Sequence, residues 1–498
     1  MSVLHTTALP PTADYIIVGG GTAGLVVANR LSEDPSVTVL VLEVGPDRTS
    51  DPQIQDPAAW HSLIGTEVDW KIRSVPQAGL NNRELDHPSG KLLGGSSAIN
   101  GHMYVAPSRA GINAWAELGN TEWSWEALAP YLRKSVTVVA PGEETIGTKA
   151  YAASIDPVEG LRSSAAGQHG VDAGRRHNVT VVTGVTVRKV LFPTGEGEGV
   201  VATGVEVGLE DGGLVTVAAG KEVILAAGAF HTPKLLELSG VGDRELLSGL
   251  GISVVVENSG VGENLQNHPM SVLVALMNKI PELEGITLGI QALTFLRLDG
   301  QEQADLAAKF LPGEQGLDKV LCGILESPDE ATAFLMLGIL PGGAMSIIPL
   351  ISCFPASRGN IHITSADFEA KSNYDPRFLS HPLDIELMAR HYQKLQQVPL
   401  FPQLQPFFQP PAAPMDLEST KELLRTAAAQ TAHHVCGTAA MLPREAGGVV
   451  DQELRVYGTQ NLRVVDASVF PLIPHGNPMS TVYAVAERAA DLIKGDWV

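Results

Sequence analysis

A glycine-rich turn near the N-terminus constrains the fold of this chain more than any other feature. The hexapeptide GGGTAG at 19–24 follows Tyr15–Val18, a short apolar run of the kind found in buried strands. Residues Leu25–Leu31 then have the pattern of a helix, and Val37–Leu42 that of a second strand. A strand, a glycine turn, a helix and a strand in this order predict a βαβ unit, and therefore an α/β fold around a parallel sheet.

The glycines of this turn have the spacing of a dinucleotide site. They fit the pattern GxGxxG, which permits a tight turn, approach of a pyrophosphate to the backbone and close packing of the helix. An acid ends the predicted second strand, where a carboxylate accepts hydrogen bonds from ribose hydroxyls and disfavours the phosphate of NADP. The alternative is a glycine turn without a ligand. The predicted dinucleotide-binding residues are Gly19, Gly21, Thr22, Ala23, Gly24 and Glu43.

Composition is typical of a globular protein with two domains. The 498 residues exceed the usual size of one hydrophobic core. A net charge of 34 − 55 = −21 opposes binding to nucleic acid or to anionic membranes. Three cysteines without a CxxC pair argue against a disulfide framework or a structural zinc site, so we expect no metal. The first residues lack the pattern of a secretory signal, which favours a cytoplasmic location.

One uncharged stretch, Ala331–Phe354, is long enough to span a bilayer. Pro341, Gly342, Gly343 and Pro349 interrupt it, and a lipid-exposed helix broken in this way would leave backbone groups without partners. We interpret the stretch as a buried strand and loop of a substrate domain. A tunnel lining or a membrane-touching surface is the alternative.

Strand-like and helix-like segments continue along the rest of the chain. Short helices are expected within 106–135. Further strands are predicted at Val179–Phe192, Val200–Leu209, Lys221–Ala226, Asn360–Thr364 and Asn461–Val465. Further helices are predicted at Leu383–Leu395 and Thr481–Ile493.

Five segments give the chain a resemblance to the glucose-methanol-choline (GMC) oxidoreductases. They are LEVGPD at 42–47, GKLLGGSSAIN at 90–100, GAFHTPKLLELSGVG at 228–242, GVGENLQNHP at 260–269, and the region 432–494 with HHVCGTAAM and YAVAERAADLIK. They occur in the family's order along nearly the whole chain. The resemblance implies an FAD-dependent oxidoreductase. Its Rossmann-like FAD-binding domain would be discontinuous in sequence, with a second, sheet-containing α+β domain for the substrate.

The resemblance also implies domain bounds and further cofactor contacts. The FAD-binding domain would comprise 1–265, with lid and substrate-side loops at about 50–165, together with 431–498; the substrate-binding domain would be 266–430. Ile99 stands where some relatives carry a histidine that tethers FAD, so we expect noncovalent FAD. The additional residues implied to contact FAD are Gly94, Gly95, Ser96, Asn100, Gly101, Val187, Ala227, Gly228, Asp466, Ala467, Asn477, Pro478 and Met479.

The same resemblance points to the reacting groups. His434 stands at the position of the family's catalytic histidine, and an imidazole suits a base that takes the proton of a substrate hydroxyl. Asn477 stands where the family has His or Asn, and its amide would stabilise the alkoxide while the carbon gives a hydride to flavin N5. His475 is a third candidate, and His433 and His102 are weaker ones. A surface or core histidine is the alternative for each.

Two departures from the family leave the substrate open. The segment Ser135–Arg162 is short, and Ala106-Pro107 replaces an arginine that is often found there. The leading hypothesis is oxidation of a small alcohol or polyketide-like substrate, with oxygen or another electron acceptor. The alternative is a redox-neutral cyclase or dehydratase of natural-product assembly on the same scaffold, and a non-enzymatic flavin-binding protein is a third. The oligomeric state is left open.

Overall fold

Two large sheets organise the chain. The computed structural model describes residues 9–136, 152–193, 199–279, 289–340, 343–411 and 413–497. One sheet has seven strands, most of them from the first half of the chain, and the other has five strands from the middle of the chain. The fold is therefore mixed α/β with a second sheet, as the sequence predicts, and the structure shows that this second sheet is antiparallel. The domain bounds given above stay a prediction.

The seven-stranded sheet is built around the predicted βαβ unit. Strand Thr12–Val18 lies between two parallel neighbours, which suits its run of buried apolar residues. In spatial order the strands are Val179–Thr183, Val39–Glu43, Thr12–Val18, Leu214–Leu225, Gly204–Gly208 and Thr186–Leu191, with Leu462–Val464 paired to the end of Leu214–Leu225.

The long strand Leu214–Leu225 corrects a predicted boundary. The sequence predicts a strand from Lys221, yet the strand begins seven residues earlier. Its first part pairs antiparallel with Gly204–Gly208, and its last part pairs parallel with both Thr12–Val18 and Leu462–Val464. Because the first part is half exposed, it lacks the continuous apolar run that marks the buried part. The pairing with the C-terminal strand confirms that this domain is discontinuous in sequence.

A buried ion pair ties the C-terminal strand to the sheet. Arg463 donates to Glu222 through Nε at 2.7 Å and through Nη2 at 3.2 Å, and both side chains are buried. Arg463 also pairs with Asp496, and Trp497 Nε1 donates to Glu222 at 2.7 Å. The pair therefore fixes the segment that leads into the predicted catalytic residues.

Helices cover the seven-stranded sheet. The first helix, Thr22–Leu31, packs against the last one, Met479–Gly495, and Arg30 forms an ion pair at 2.8 Å with the buried Glu487 of that last helix. The short helices expected within 106–135 are confirmed. The other helices outside the middle of the chain are Pro52–Gln55, Arg109–Glu117, Trp125–Lys134, Val171–Ala173, Gly228–Leu238 and Arg244–Gly249.

The five-stranded sheet is antiparallel and has two different faces. Side chains such as Ile348 and Leu350 pack against helix Pro382–Gln396 on one face, and Phe334 and Ile351 face the core shared with the seven-stranded sheet on the other. In spatial order the strands are Gly289–Leu296, Ala333–Ile339, Met345–Ser352, Pro269–Leu276 and Ala429–Thr431. The helices of this part are Gly300–Phe310, Gly316–Glu326, Pro382–Gln396 and Leu417–Leu423.

Small two-stranded sheets complete the fold. They pair Ile72–Arg73 with Asp86–His87, Met103–Tyr104 with Ala152–Ala153, Val241–Gly242 with Val256–Glu257, and Asn360–His362 with Asn373–Asp375.

Within the uncharged stretch 331–354, Ala333–Ile339 and Met345–Ser352 are the third and fourth strands along the chain of the five-stranded sheet, which confirms the buried-strand interpretation for them. Residues 341–342 of the stretch lie outside the described part of the chain. Among the described residues, every helix is too short or too polar to cross a membrane. Of the segment whose shortening the sequence indicates, residues 137–151 lie outside the described part of the chain.

Candidate active site

The predicted dinucleotide turn joins the first strand to helix Thr22–Leu31. Gly19 has φ of +109°, and a Cβ on Gly24 would lie 2.0 Å from the carbonyl oxygen of Gly19. A Cβ on Gly21 would meet no atom of the described residues closer than 3.9 Å, so the backbone there is open to a ligand. The helix has no side-chain cap, which leaves its first amides facing outward for an anion.

Glu43 lies beside this turn at the end of its strand. Its Oε2 accepts from the Gly20 N–H at 2.8 Å, and its Oε1 accepts from the Gly45 N–H at 2.7 Å. Burial raises the pKa of Glu43 to about 7, while these two backbone donors favour the charged form. Each carboxylate oxygen keeps a second lone pair, so the group fits ribose hydroxyls as further donors.

The segment 94–101 lies between the glycine turn and the last helix. The Gly94 N–H donates to the backbone of the turn at 2.7 Å, and a Cβ on Gly95 would come within 2.8 Å of it. At the other end, Asn100 Nδ2 lies 3.1 Å from the sulfur of Met479. The contacts bring three predicted cofactor segments, far apart in sequence, to one place.

His434 stands at the centre of a chain of polar contacts. Its Nε2 lies 3.0 Å from Asn477 Nδ2, and its Nδ1 lies 2.9 Å from His268 Nδ1. The Nε2 of His268 lies 2.8 Å from the carbonyl oxygen of Cys353, and the backbone N–H of His434 donates to Asn267 Oδ1 at 3.0 Å. Both ring nitrogens of His434 and its backbone N–H therefore have hydrogen-bond partners.

Burial keeps these imidazoles neutral. It lowers the pKa of His434 well below its ordinary value, and the nearby rings of His268, His433 and His87 lower it further. Burial also lowers the pKa of His268 to about 3 and that of His475 to about 4. At pH 7 each ring thus has one N–H donor and one nitrogen lone pair, as a general base requires.

Asn477 and His475 lie in the loop before helix Met479–Gly495. The Oδ1 of Asn477 and the Nδ1 of His475 are buried and have no hydrogen-bond partner among the described residues. The ring of His475 packs edge-on against Phe295, with the ring centroids 4.4 Å apart, and its centroid lies 6.4 Å from that of Phe354. Among the described contacts, no hydrogen bond joins His475 to the other two predicted catalytic residues.

The two weaker histidine candidates lie elsewhere around the site. His433 packs edge-on against His87 with the ring centroids 5.2 Å apart, and its backbone has φ of +64°. His102 Nε2 lies 2.7 Å from the carbonyl oxygen of Pro57. Neither ring is hydrogen-bonded to His434 or Asn477 in the described part of the chain.

Asp466 has a structural task that the sequence does not reveal. Its Oδ2 accepts from the Gly228 N–H at 2.9 Å and from Thr232 Oγ1 at 2.6 Å, and its Oδ1 accepts twice from Ser468. The carboxylate therefore holds helix Gly228–Leu238 to the C-terminal segment, and any contact with a cofactor would come from the backbone of this region. The remaining predicted contacts, Ala227, Ala467 and Val187, are buried or half-buried, and Val187 lies in strand Thr186–Leu191.

Sequence reasoning missed three residues that shape the site. His268 and Asn267 both contact His434, and their only signal is a position at the end of the GVGENLQNHP segment, just before a strand. Arg162 is the third; it donates to the carbonyls of Ile54 at 3.0 Å and Asn100 at 2.8 Å. It therefore fixes the segment that runs along the glycine turn.

Comparisons with known proteins agree with this arrangement. The model of the N-terminal GMC oxidoreductase domain matches residues 13–152 and 140–270, and that of the C-terminal GMC oxidoreductase domain matches 355–486. The chain is 33% identical to the GMC oxidoreductase family protein Mala s 12 of Malassezia sympodialis, over 97% of this chain and 92% of that protein. It is also 33% identical to the glucose oxidase-like protein fsoC of Humicola fuscoatra, over 97% and 95%.

Solved structures share the whole architecture. An FAD-dependent oxidoreductase from Chaetomium thermophilum has a TM-score of 0.85 at 28% identity, with 98% of this chain and all of that chain covered. A formate oxidase has a TM-score of 0.85 at 26% identity, with 98% and 99% covered, and a fungal aryl-alcohol oxidase has 0.83 at 28%, with 98% and 100% covered. The chain belongs to the GMC oxidoreductase family, whose cofactor is FAD.

Proposed function

We propose that the protein oxidises an alcohol at a CH–OH group, with His434 as the base and Asn477 as the donor to the substrate oxygen. The pairing of His434 Nε2 with Asn477 Nδ2 at 3.0 Å carries the proposal. A substrate hydroxyl would displace the Asn477 amide from Nε2, donate to the freed imidazole lone pair and accept from the amide. Bound FAD supplies the hydride acceptor for such a reaction.

The two side chains have complementary tasks. A neutral His434 takes the hydroxyl proton on Nε2. An N–H of Asn477 faces this Nε2, and once a hydroxyl takes its place there the amide would donate to the alcohol oxygen as negative charge develops on it. Because Asn477 does not titrate, it performs this task in the same form at every pH at which the protein is folded.

The residues around the glycine turn fit FAD held without a covalent bond. Glu43 has spare lone pairs, Gly21 has an open backbone, and the last helix begins without a side-chain cap. Ile99 is buried in a small apolar cluster and offers no nucleophile for a bond to flavin. These observations support the role proposed for the predicted cofactor residues.

The surroundings of His434 favour an apolar, aromatic alcohol. The ring centroid of Phe295 lies 5.6 Å from that of Phe334 and 4.4 Å from that of His475, so aromatic rings form a wall next to His475, two residues before Asn477. Such a wall binds a flat apolar substrate through its area and ring geometry. The Nδ1 of His475, which is buried and has no partner within the described part of the chain, would take a second polar group of the substrate.

Anaerobic flavin reduction tests this function. Purified protein is mixed without oxygen with benzyl-type, aliphatic and polyketide-like alcohols, and the flavin absorbance is followed. We expect bleaching to be fastest with aromatic alcohols. Admission of air then separates an oxidase, which reoxidises quickly and forms peroxide, from an enzyme that uses another electron acceptor.

The same experiment addresses a redox-neutral reaction. The unpartnered Nδ1 of His475 is a second acid–base group near the pair, which is the one observation that favours it. A product formed from a cyclisation precursor without bleaching and without peroxide would replace the oxidation proposed here.

A further inference from the structure

We propose that His268 is a positioning residue that holds His434 in the tautomer a base requires, with the proton on Nδ1 and the lone pair on Nε2. This proposal rests on the function proposed above, in which His434 is the base, and adds the residue that orients it. The observation behind it is the contact between the two Nδ1 atoms at 2.9 Å, in which one nitrogen must donate and the other must accept.

The hydrogen bond between His268 and Cys353 determines which of the two Nδ1 atoms donates. The Nε2 of His268 lies 2.8 Å from the carbonyl oxygen of Cys353, and a carbonyl oxygen only accepts. This Nε2 therefore carries a hydrogen. His268 is fully buried, and burial holds its pKa at about 3, so the ring is neutral and its Nδ1 has the lone pair.

The lone pair of His268 determines the proton position on the next ring. Because His268 Nδ1 accepts, His434 Nδ1 donates, and a neutral His434 then has its lone pair on Nε2. Asn477 Nδ2 donates to that lone pair at 3.0 Å, so the three contacts from Asn477 through His434 and His268 to Cys353 are consistent with one another. The opposite direction would require the carbonyl of Cys353 to donate or His268 to carry a buried positive charge.

His268 itself is held in place. It stands immediately before strand Pro269–Leu276. Its ring is edge-on to Phe334 with the ring centroids 6.4 Å apart, and its ring plane makes an angle of 88° with that of His434. Its neighbour Asn267 accepts from the backbone N–H of His434 at 3.0 Å. Two consecutive residues thus fix the backbone and the ring of the proposed base.

The arrangement also supports the base after proton transfer. The O–H bond of the alcohol breaks and an N–H bond forms at His434 Nε2, so the ring becomes a cation. Its Nδ1–H remains bonded to the lone pair of His268, and a hydrogen bond from a charged donor is stronger than one from a neutral donor. No further proton has to move.

Two substitutions separate this role from simple packing. In His268→Asn, a side-chain oxygen can occupy the place of Nδ1 and accept from His434. In His268→Leu, a side chain of similar size accepts nothing, so His434 gains no advantage from a proton on Nδ1. His391→Leu is the matched control, because His391 is also a buried histidine and is bonded through Nε2 at 2.8 Å to Thr332, which is not part of the site.

The first measurement is the rate of anaerobic flavin reduction, with FAD content and melting temperature recorded for each variant. We expect His268→Leu to lower the rate about tenfold or more, as the loss of one oriented hydrogen bond would. His268→Asn should stay within a few-fold of the unchanged protein, and His391→Leu should lose stability without slowing reduction. Equal rates in the Leu and Asn variants at full FAD content would overturn the proposal.

The second measurement is independent of turnover. Nitrogen-15 NMR of histidine-labelled holoenzyme distinguishes the N–H nitrogen of a neutral imidazole from the lone-pair nitrogen, and His434→Gln identifies the signals of residue 434. We expect the proton on Nδ1 in the unchanged protein and in His268→Asn, and a change toward Nε2 in His268→Leu. A proton on Nε2 in the unchanged protein would exclude the proposal even if alcohols reduce the flavin. A proton on Nδ1 would support it even if they do not.

Discussion

The Nε2 atom of His434 and the Nδ2 atom of Asn477 lie 3.0 Å apart, although 43 residues separate them in sequence. One residue follows strand Ala429–Thr431 of the five-stranded sheet, and the other precedes the last helix, which packs over the seven-stranded sheet. The contact between the proposed catalytic residues therefore depends on the correct docking of the two sheets. Substitutions at the pair and at the contacts that dock it test different parts of the account.

The depressed pKa of His434 predicts a flat pH profile. The base acts in its neutral form, so activity is present above the pKa of His434 and is lost as the pH falls through it. Because burial and the neighbouring imidazoles lower that pKa well below its ordinary value, the rate constant of flavin reduction should not change between pH 6 and 8. Stopped-flow absorbance measures it, and a sigmoidal rise centred near pH 7 would disagree with the structure.

Removal of the amide at Asn477 should slow the reaction more than it weakens binding. Asn477→Ala deletes a donor to the developing alkoxide, and loss of one such donor costs about 10²–10³-fold in rate. Asn477→His restores a donor and should recover much of the loss. Reduction kinetics at saturating alcohol, with FAD content as a control, measure the effect; an Ala variant as fast as the unchanged protein would remove Asn477 from the mechanism.

A pair of glycine substitutions separates cofactor binding from folding. A Cβ on Gly21 meets no atom of the described residues closer than 3.9 Å, so Gly21→Ala should fold normally and lose FAD. A Cβ on Gly24 would lie 2.0 Å from the carbonyl oxygen of Gly19, so Gly24→Ala should lower the melting temperature of the apoprotein itself. Flavin content and apoprotein melting are the two measurements. Full FAD occupancy in Gly21→Ala would show that the cofactor does not approach this backbone.

The buried pair of Arg463 and Glu222 should dominate the stability of the C-terminal segment. Arg463→Leu leaves the Glu222 carboxylate buried without its main partner, at a cost of about 3–5 kcal/mol in the free energy of unfolding. Arg463→Leu combined with Glu222→Leu should recover part of that loss. The exposed pair of Arg73 and Glu84 is the control, and Arg73→Leu should leave the free energy of unfolding nearly unchanged in the same urea titration.

The sequence predicted the elements whose signal is local. The turn at 19–24 has a signal within six consecutive residues, because glycine spacing and the two flanking strands occur within one βαβ unit. The last helix was found within two residues of its ends, since its apolar positions repeat along one face. Both elements carry residues that are predicted to contact the cofactor.

The amino-acid sequence alone does not predict contacts between distant segments. His268 and His434 are 166 residues apart, and no periodicity indicates that their Nδ1 atoms meet. Asp466 is predicted to contact the cofactor, but no local pattern indicates that its carboxylate accepts from Gly228 and Thr232. The sequence does not predict the start of strand Leu214–Leu225 for a similar reason, because the first half of this strand pairs with a separate antiparallel strand.

The most direct test of the account is the rate of anaerobic flavin reduction in His434→Gln with an aromatic alcohol that bleaches the unchanged protein. We expect a decrease of about 10²–10⁴-fold, the usual contribution of a positioned base, with FAD content preserved. Reduction at the rate of the unchanged protein would contradict the assignment of His434 as the base.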